Sequence, residues 1–448
     1  FLSYHQGKKD AEMQKRIFIN SLILHIIIAI LIVISLEIIG LFLFNGFLKI
    51  APDRVHAARA IYQFMAATVF FTIIEVPFTG TLNAHENILW LAIVSIFEVL
   101  LKLGIAIWIS FPLNTDKLIF YGILNPFISV VSTILYATYC LVKYKECTLR
   151  IWKKAERALI KQLGFFAGWN LFGALCTLGK TQGLAVILNL FFGTIVNAAY
   201  GIANQIAAQL NFLSTALLQA INPQIMKSQG FGDTERMLRL SMIASKFSFF
   251  LMAMVAIPCI FEMEYVLKAW LKVVPDNTMI FCDLITISIL INQLTIGLQS
   301  AMQAIGTIRI YQMVIGALIL LNIPIAYILL KLGMPAYTAV LSFSIIETLA
   351  CIFRLYFAKK IAGLNIREYV IKVFLKEIPP LVILIAFCFA FTHFFHFKNR
   401  FLITGVISLG IFTISIYYTA LCTDEKLLIN DILSGALKKL KKSTYLNK

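Results

Sequence analysis

The side chains in this 448-residue chain that could do chemistry are charges and amides set inside long apolar runs. A charged group in hydrocarbon is costly unless it is paired or hydrated, so each is a candidate for function. Lys180 lies in LGKTQGLAVILNLFFG (178–193), between Gly179 and Gly183. Two glycines weaken a helix and free backbone groups, which is tolerable at membrane depth only beside protein or a wet cavity. On that reading Lys180, Gln182 and Asn189 line a cavity. On the plainer one, the helix ends early and the lysine reaches out to the interface. Glu98 and Lys102 stand four apart on one helix face and suit mutual neutralisation. Glu75, ahead of Pro77 in EVPFTG, is either an interfacial carboxylate beside a proline kink or one that titrates as the protein works. Asn170, Lys246, Lys102 and Glu98 join Lys180, Gln182 and Asn189 as cavity candidates, with Glu75 as the coupling candidate; Glu347 and Arg354 rank below Lys180. Asn204, Gln205, Gln209, Asn211 and Gln219 recur at partly helical spacing. Such amides either hydrogen-bond hydroxyl-rich ligands or tie helices together.

Other chemistries are missing from the pattern. His393 and His396, three apart in HFFH, have no carboxylate or third ligand nearby, so no metal is expected. The eight cysteines (140, 147, 176, 259, 282, 351, 388 and 422) show no CxxC or zinc spacing and read as small core residues. No Ser–His–acid set, paired carboxylates, phosphate loop or GxGxxG stands out. The chain reads as neither an enzyme nor an ATP-driven pump, and no cofactor is implied.

The elements that must position these groups are apolar helices. Hydrophobic residues make up 60% of the chain and charged ones 14%, with a mean hydropathy of +0.87. Soluble domains run at about 45–50% apolar and about 25% charged, so this is an all-α, polytopic membrane protein. Twelve spans are expected, at 18–44, 57–80, 88–112, 117–143, 161–191, 194–221, 236–262, 278–303, 308–333, 336–358, 371–394 and 400–421. With residue 1 placed inside, the inward loops and tails carry 27 Lys plus Arg and the outward loops 9. This inward bias fixes the orientation and accounts for the net charge of +17 without nucleic acid as a partner. KYKECTLRIWKKAERALIK (143–161) and LLINDILSGALKKLKKS (427–443) read as basic amphipathic segments on the inner bilayer surface.

A short repeat organises the spans. GKKDAE (7–12) and GFGDTE (230–235) share G-x-x-D-x-E, each just before an apolar run. Glycine turns the chain, aspartate caps the helix, and glutamate sits near the positive end of its dipole. Adding 223 to the first four spans superposes them on the seventh to tenth, which indicates an internal duplication. In the second copy two spans precede the loop, so the register predicts two more before Gly7, about 60–80 residues by span length. The expected architecture is two six-helix lobes related by a pseudo-twofold axis along the membrane normal, the first lacking two spans here, plus two C-terminal helices. The divisions are 1–143 (N-lobe, four spans), 144–160 (basic linker helix), 161–358 (six-span C-lobe) and 359–448 (two spans and a basic tail). Two like lobes that rock about a central cavity are the architecture of a transporter.

The stretches FAGWNLFGALC (166–176), QGLAVILNLFFGTIVNAAYGIANQI (182–206) and INPQIMKSQGFGDTE (221–235) resemble bacterial polysaccharide flippases. These belong to the superfamily that also holds the MATE drug exporters. FLSYHQGKKD looks like that family's loop between its second and third spans. The resemblance implies export of a polyprenyl-pyrophosphate-linked oligosaccharide across the bacterial inner membrane for surface polysaccharide such as O-antigen or lipopolysaccharide, coupled to an ion gradient. It implies the lipid bilayer, the lipid-linked oligosaccharide and the polysaccharide polymerase machinery as partners. It also places Lys180 where such flippases hold pyrophosphate. The alternative is a MATE-type cation-coupled multidrug exporter, against which a cavity lysine counts.

Overall fold

The structure, a computed structural model, describes residues 1–47, 54–111, 116–149, 156–395, 397, 400–422 and 425–426. Residues 150–155 of the expected linker, His396 and the basic tail over 427–443 lie outside the described residues.

Asp10 and Asp233 act alike, 233 − 10 = 223 residues apart. Each side chain accepts from the backbone N–H three residues on, Met13 at 2.9 Å and Arg236 at 2.8 Å. Glu12 and Glu235 sit in the first turns that follow. The caps start helices α2 (Ala11–Phe42) and α7 (Thr234–Phe261), and a short α1 (Leu2–Gly7) precedes the first. The register continues. Helix α3 (Val55–Ala84) maps by 223 onto 278–307, and the chain has α9 (Thr278–Gln293) and α10 (Ile296–Ile305) there. Helix α4 (Ile88–Ser110) maps onto 311–333, occupied by α11 (Arg309–Leu320) and α12 (Asn322–Lys331). Helix α5 (Lys117–Lys143) maps onto 340–366, against α13 at Ala336–Ala362.

The glycine of each repeat is required by close backbone approach. A Cβ on Gly7 would lie 2.3 Å from the carbonyl oxygen of Lys227, and one on Gly230 would lie 2.0 Å from that of Tyr4. Since 4 + 223 = 227, the contact is reciprocal: each repeat's glycine fits against the same position in the other.

Among the described residues ten helices are long and apolar enough to cross a membrane, and α9 with α10, bent by 45°, makes an eleventh span. The longest, α6 (Arg157–Gly230), is interrupted at Gly193, where φ is 78° and ψ is −166°. Only glycine adopts that conformation readily, so the helix divides there into two spans and the described residues hold twelve. The sequence pattern places a two-residue loop at this point.

The chain forms two compact units. Unit 1 comprises 1–169 and 219–237. Its core of Phe18, Leu22, Phe78, Leu82, Tyr136 and Cys140 joins α2, α3 and α5. A polar network closes one end. His85 hydrogen-bonds Glu146 and stacks on Tyr144 with ring centroids 4.0 Å apart. Asn87 donates to the Tyr139 and Tyr144 hydroxyls, and Glu86 accepts from Lys227 and Gln224. Residues 144–149, expected as the start of a linker helix, are not helical and include a turn at 145–146, with Tyr144 and Glu146 held by these contacts.

Unit 2 comprises 170–218 and 238–448. Helices α7 and α13 are its most buried spans, and α13 packs against α9, α10, α11 and α12. Helix α7 presents buried Ser241, Ser245 and Ser248, and Gly297 of α10 seats directly on the Ser241 carbonyl and donates its N–H to Ser245 at 3.0 Å. Small residues are what allow membrane helices to approach so closely. After α8 (Met263–Trp270) and the α9–α13 set, α14 (Ile366–Tyr369) runs through a π-helical turn (Val370–Phe374) into α15 (Leu375–Phe394). Helix α16 (Arg400–Ser415) packs on α15 and ends in a second π turn, Ile416–Ala420.

Candidate functional site

Glu347 and Arg354 are seven residues apart on α13, two turns along one face. Both are buried, and Arg354 Nη2 lies 2.9 Å from Glu347 Oε1. Asn292 of α9 donates to the same oxygen at 2.6 Å, and Arg354 Nη1 donates to Thr295 Oγ1 at 3.2 Å. This cluster sits at the break between α9 and α10. Carbonyls freed there find side-chain donors: Tyr369 Oη reaches Leu294 O at 2.8 Å and Cys351 Sγ reaches Ile291 O at 3.2 Å. A broken helix is tolerated in a membrane only when its backbone is satisfied in this way.

Lys180 of α6 joins the cluster. Its ammonium stands 4.3 Å from the Phe343 ring centroid, one turn before Glu347 on α13. An aromatic face attracts a cation without neutralising it. Among the described residues Lys180 forms no ion pair, and the nearest carboxylate, Glu347, is engaged by Arg354. Two basic side chains therefore face one carboxylate, which Arg354 holds.

The same stripe of α6 walls a cavity of about 190 Å³. Asn170, Gly173 and Thr177 precede Lys180 at steps of three, four and three residues, a single helix face. Across the cavity stand Gln299 and Gln303 of α10 and Gln312 of α11. Gln303 and Gln312 both donate to Asn170 Oδ1, at 3.4 and 3.5 Å. Gly173 and Gly316 admit the crowding: a Cβ on the first would meet Gln312 Oε1 at 2.5 Å, and on the second Cys176 Sγ at 2.9 Å. The lining has amides and a hydroxyl but no carboxylate.

The other residues singled out from the sequence fall elsewhere. Gln182 and Asn189 are exposed and lie on the opposite side of α6 from Lys180, since two residues turn a helix by about 200°. The three do not share a surface. Lys246 does not reach the cavity: both oxygens of Glu425 take its ammonium, each at 2.6 Å. Lys102 Nζ is 3.9 Å from Glu98 Oε2 in unit 1, where both act electrostatically on Glu75. Asn204 donates back to Tyr200 O on its own helix at 2.9 Å. His393 lies parallel to the Phe389 ring, and no group of three or more His, Cys, Asp or Glu side chains positioned to hold a metal occurs among the described residues. Gln299, Gln303 and Gln312 were missed because three separate segments bring them together. Glu347 and Arg354 were underrated, although two charges seven apart in an apolar helix are a readable signal.

No protein-family profile matches the chain, and no curated protein matches its sequence. Solved structures do match in shape. An outward-facing multidrug resistance MATE family transporter of the MOP superfamily aligns with a TM-score of 0.69 at 16% identity, over 81% of this chain and 82% of that one. A MATE protein in a bent conformation aligns with a TM-score of 0.69 at 15% identity, over 82% and 83%. A MOP superfamily transporter from Pyrococcus furiosus, described as having a binding pocket of reversed polarity that suggests a different function, aligns at 0.67 and 16%, over 81% and 82%. The chain is thus a multi-pass membrane protein with the fold of the MATE transporters.

Proposed function

We propose that this protein is a flippase, an exporter that turns a polyprenyl-pyrophosphate-linked oligosaccharide from the inner to the outer leaflet of the bacterial cytoplasmic membrane. It works by alternating access and draws on an ion gradient. The observation that carries this reading is the amide-lined cavity on the face of α6 whose next turn bears Lys180. Amides offer both donors and acceptors, which suits sugar hydroxyls. A basic side chain one turn beyond the cavity suits an anionic phosphate linkage. The barrier to flipping is removal of water from a hydrated, anionic headgroup, and fixed polar groups replace that water while the prenyl chain stays in lipid. The polysaccharide polymerase machinery is the natural acceptor of the product.

A second reading, cation-coupled multidrug export, draws on the likeness in fold to a multidrug resistance MATE transporter. A cationic drug calls for carboxylates in the cavity wall, and this wall has none. Cells lacking the gene distinguish the two. Lipid-linked glycan accumulating on the inner leaflet, with loss of surface polysaccharide, supports the flippase. Unchanged glycan with new sensitivity to cationic drugs refutes it.

A further inference from the structure

The buried carboxylates of unit 2, and Glu425 beside them, have contrasting surroundings. Glu262 receives Arg400 and Thr404, Glu347 receives Arg354 and Asn292, and Glu425 receives Lys246 and the Cys422 N–H. Among the described residues Glu377 receives no hydrogen bond. It is 2% exposed, and both of its carboxyl oxygens are buried without a hydrogen-bond partner. A carboxylate ion buried there would lose its hydration with no donor in its place, a cost that favours the neutral acid.

The nearest opposing charge is occupied. Lys246 of α7 acts electrostatically on Glu377, but its ammonium is spent on Glu425. Tyr369 of α14 also feels Glu377, and its hydroxyl is spent on the Leu294 carbonyl. Helix α16 and its π turn bring Tyr417 and Tyr418 and no charge beyond Arg400. Lys246 therefore has two carboxyl groups within its field and holds one of them.

The backbone around these groups is irregular. Glu377 lies between the π turn Val370–Phe374 and a Pro379–Pro380 pair inside α15. Prolines remove backbone donors, and π turns inside helices occur frequently at functional sites. Glu425 follows the second π turn, Ile416–Ala420.

We infer that Glu377 is a proton-binding site and that Lys246 exchanges between Glu425 and Glu377. When the Lys246–Glu425 pair opens, Lys246 takes the Glu377 carboxylate, and the proton on Glu377 passes to water. When the pair re-forms, Glu377 regains a proton from water. One proton is bound and released per cycle, and no bond other than O–H changes. The site exists independently of any cargo; its part in transport rests on the ion-coupled flippase proposed above.

Infrared difference spectroscopy of the whole protein in lipid tests the site without any substrate. At neutral pH the wild type shows a protonated-carboxyl C=O stretch that is missing from Glu377→Gln, a variant that copies the neutral acid and so preserves the fold. Glu425→Gln frees Lys246 and removes the same band. A wild type and Glu377→Gln that match in this region overturn the proposal, as does a band that persists in Glu425→Gln. Proteoliposomes with an imposed pH gradient then test coupling: Glu377→Gln abolishes the gradient's effect on export. If the infrared result holds and the gradient has no effect on the wild type, the site stands and its role in coupling falls.

Discussion

The Glu347–Arg354 pair supports a quantitative prediction. Arg354 is 1% exposed and Glu347 5%, and the carboxylate is held by Arg354 at 2.9 Å and Asn292 at 2.6 Å. Replacing one partner of a buried pair leaves an uncompensated charge and costs about 3–5 kcal/mol. Replacing both by apolar residues of similar volume is often neutral or stabilising. Arg354→Met should therefore destabilise strongly, and Glu347→Leu should do so at least as much, since it leaves Arg354 and Lys180 as unopposed cations. The double variant should be more stable than either, with a coupling energy of about 3 kcal/mol. Lys180 acts on Glu347 as well, so part of the Arg354→Met loss is offset when the lysine remains. The assay is thermal unfolding in detergent of the wild type, both single variants and the double, with Lys180→Met in each background. Since membrane proteins often unfold irreversibly, the ranking at one scan rate is the readout. If Arg354→Met unfolds with the wild type, or the double variant is weaker than the sum of the singles, the pair is not what secures α13 at the α9–α10 break.

Other outcomes follow from single contacts. Lys180→Ala should impair export while Lys180→Arg largely preserves it, measured as surface polysaccharide in complemented cells; equal activity would remove the lysine from the site. Gly193→Ala forces a side chain into a glycine-only conformation and should cost about 1–3 kcal/mol, read as a lower unfolding temperature. Glu146→Gln tests the His85 contact. Burial pushes the Glu146 carboxyl up, but the His85 hydrogen bond, a backbone hydrogen bond and the charge of His85 together outweigh it and hold the group below its ordinary value of 4.5. A depressed carboxylate contributes stability above its unfolded pKa and loses it as pH falls through the folded one. The variant should therefore be weaker by about 1 kcal/mol at neutral pH, and the difference should close below pH 4.5.

Spans and their repeat were legible because both are local properties: apolar length and a capping aspartate recur with the same offset at Asp10 and Asp233. The site was less so. Asn170 and Lys180 belong to one segment, but the cavity needs Gln299, Gln303 and Gln312 from two others, and nothing in their spacing announces it. Lys246 read as a cavity residue because its partner, Glu425, lies 179 residues away, beyond the last span. Gln182 and Asn189 show the limit of counting polar residues without the helical angle, which places them opposite Lys180. The Gly193 break was visible as a loop, but a single residue in a glycine-only conformation leaves the helices on either side continuous up to it.

The crossing of Gly7 and Gly230 bears on how such a chain could have arisen. A contact in which one position meets its counterpart, and the counterpart meets it in return, is self-complementary, the kind made at the twofold axis of a homodimer. Two copies of a half-length ancestor would have met through the same pair of glycines, so gene fusion joined subunits whose interface was already fitted. Any side chain added at one glycine then strikes backbone contributed by the other half, so neither position is free to drift alone.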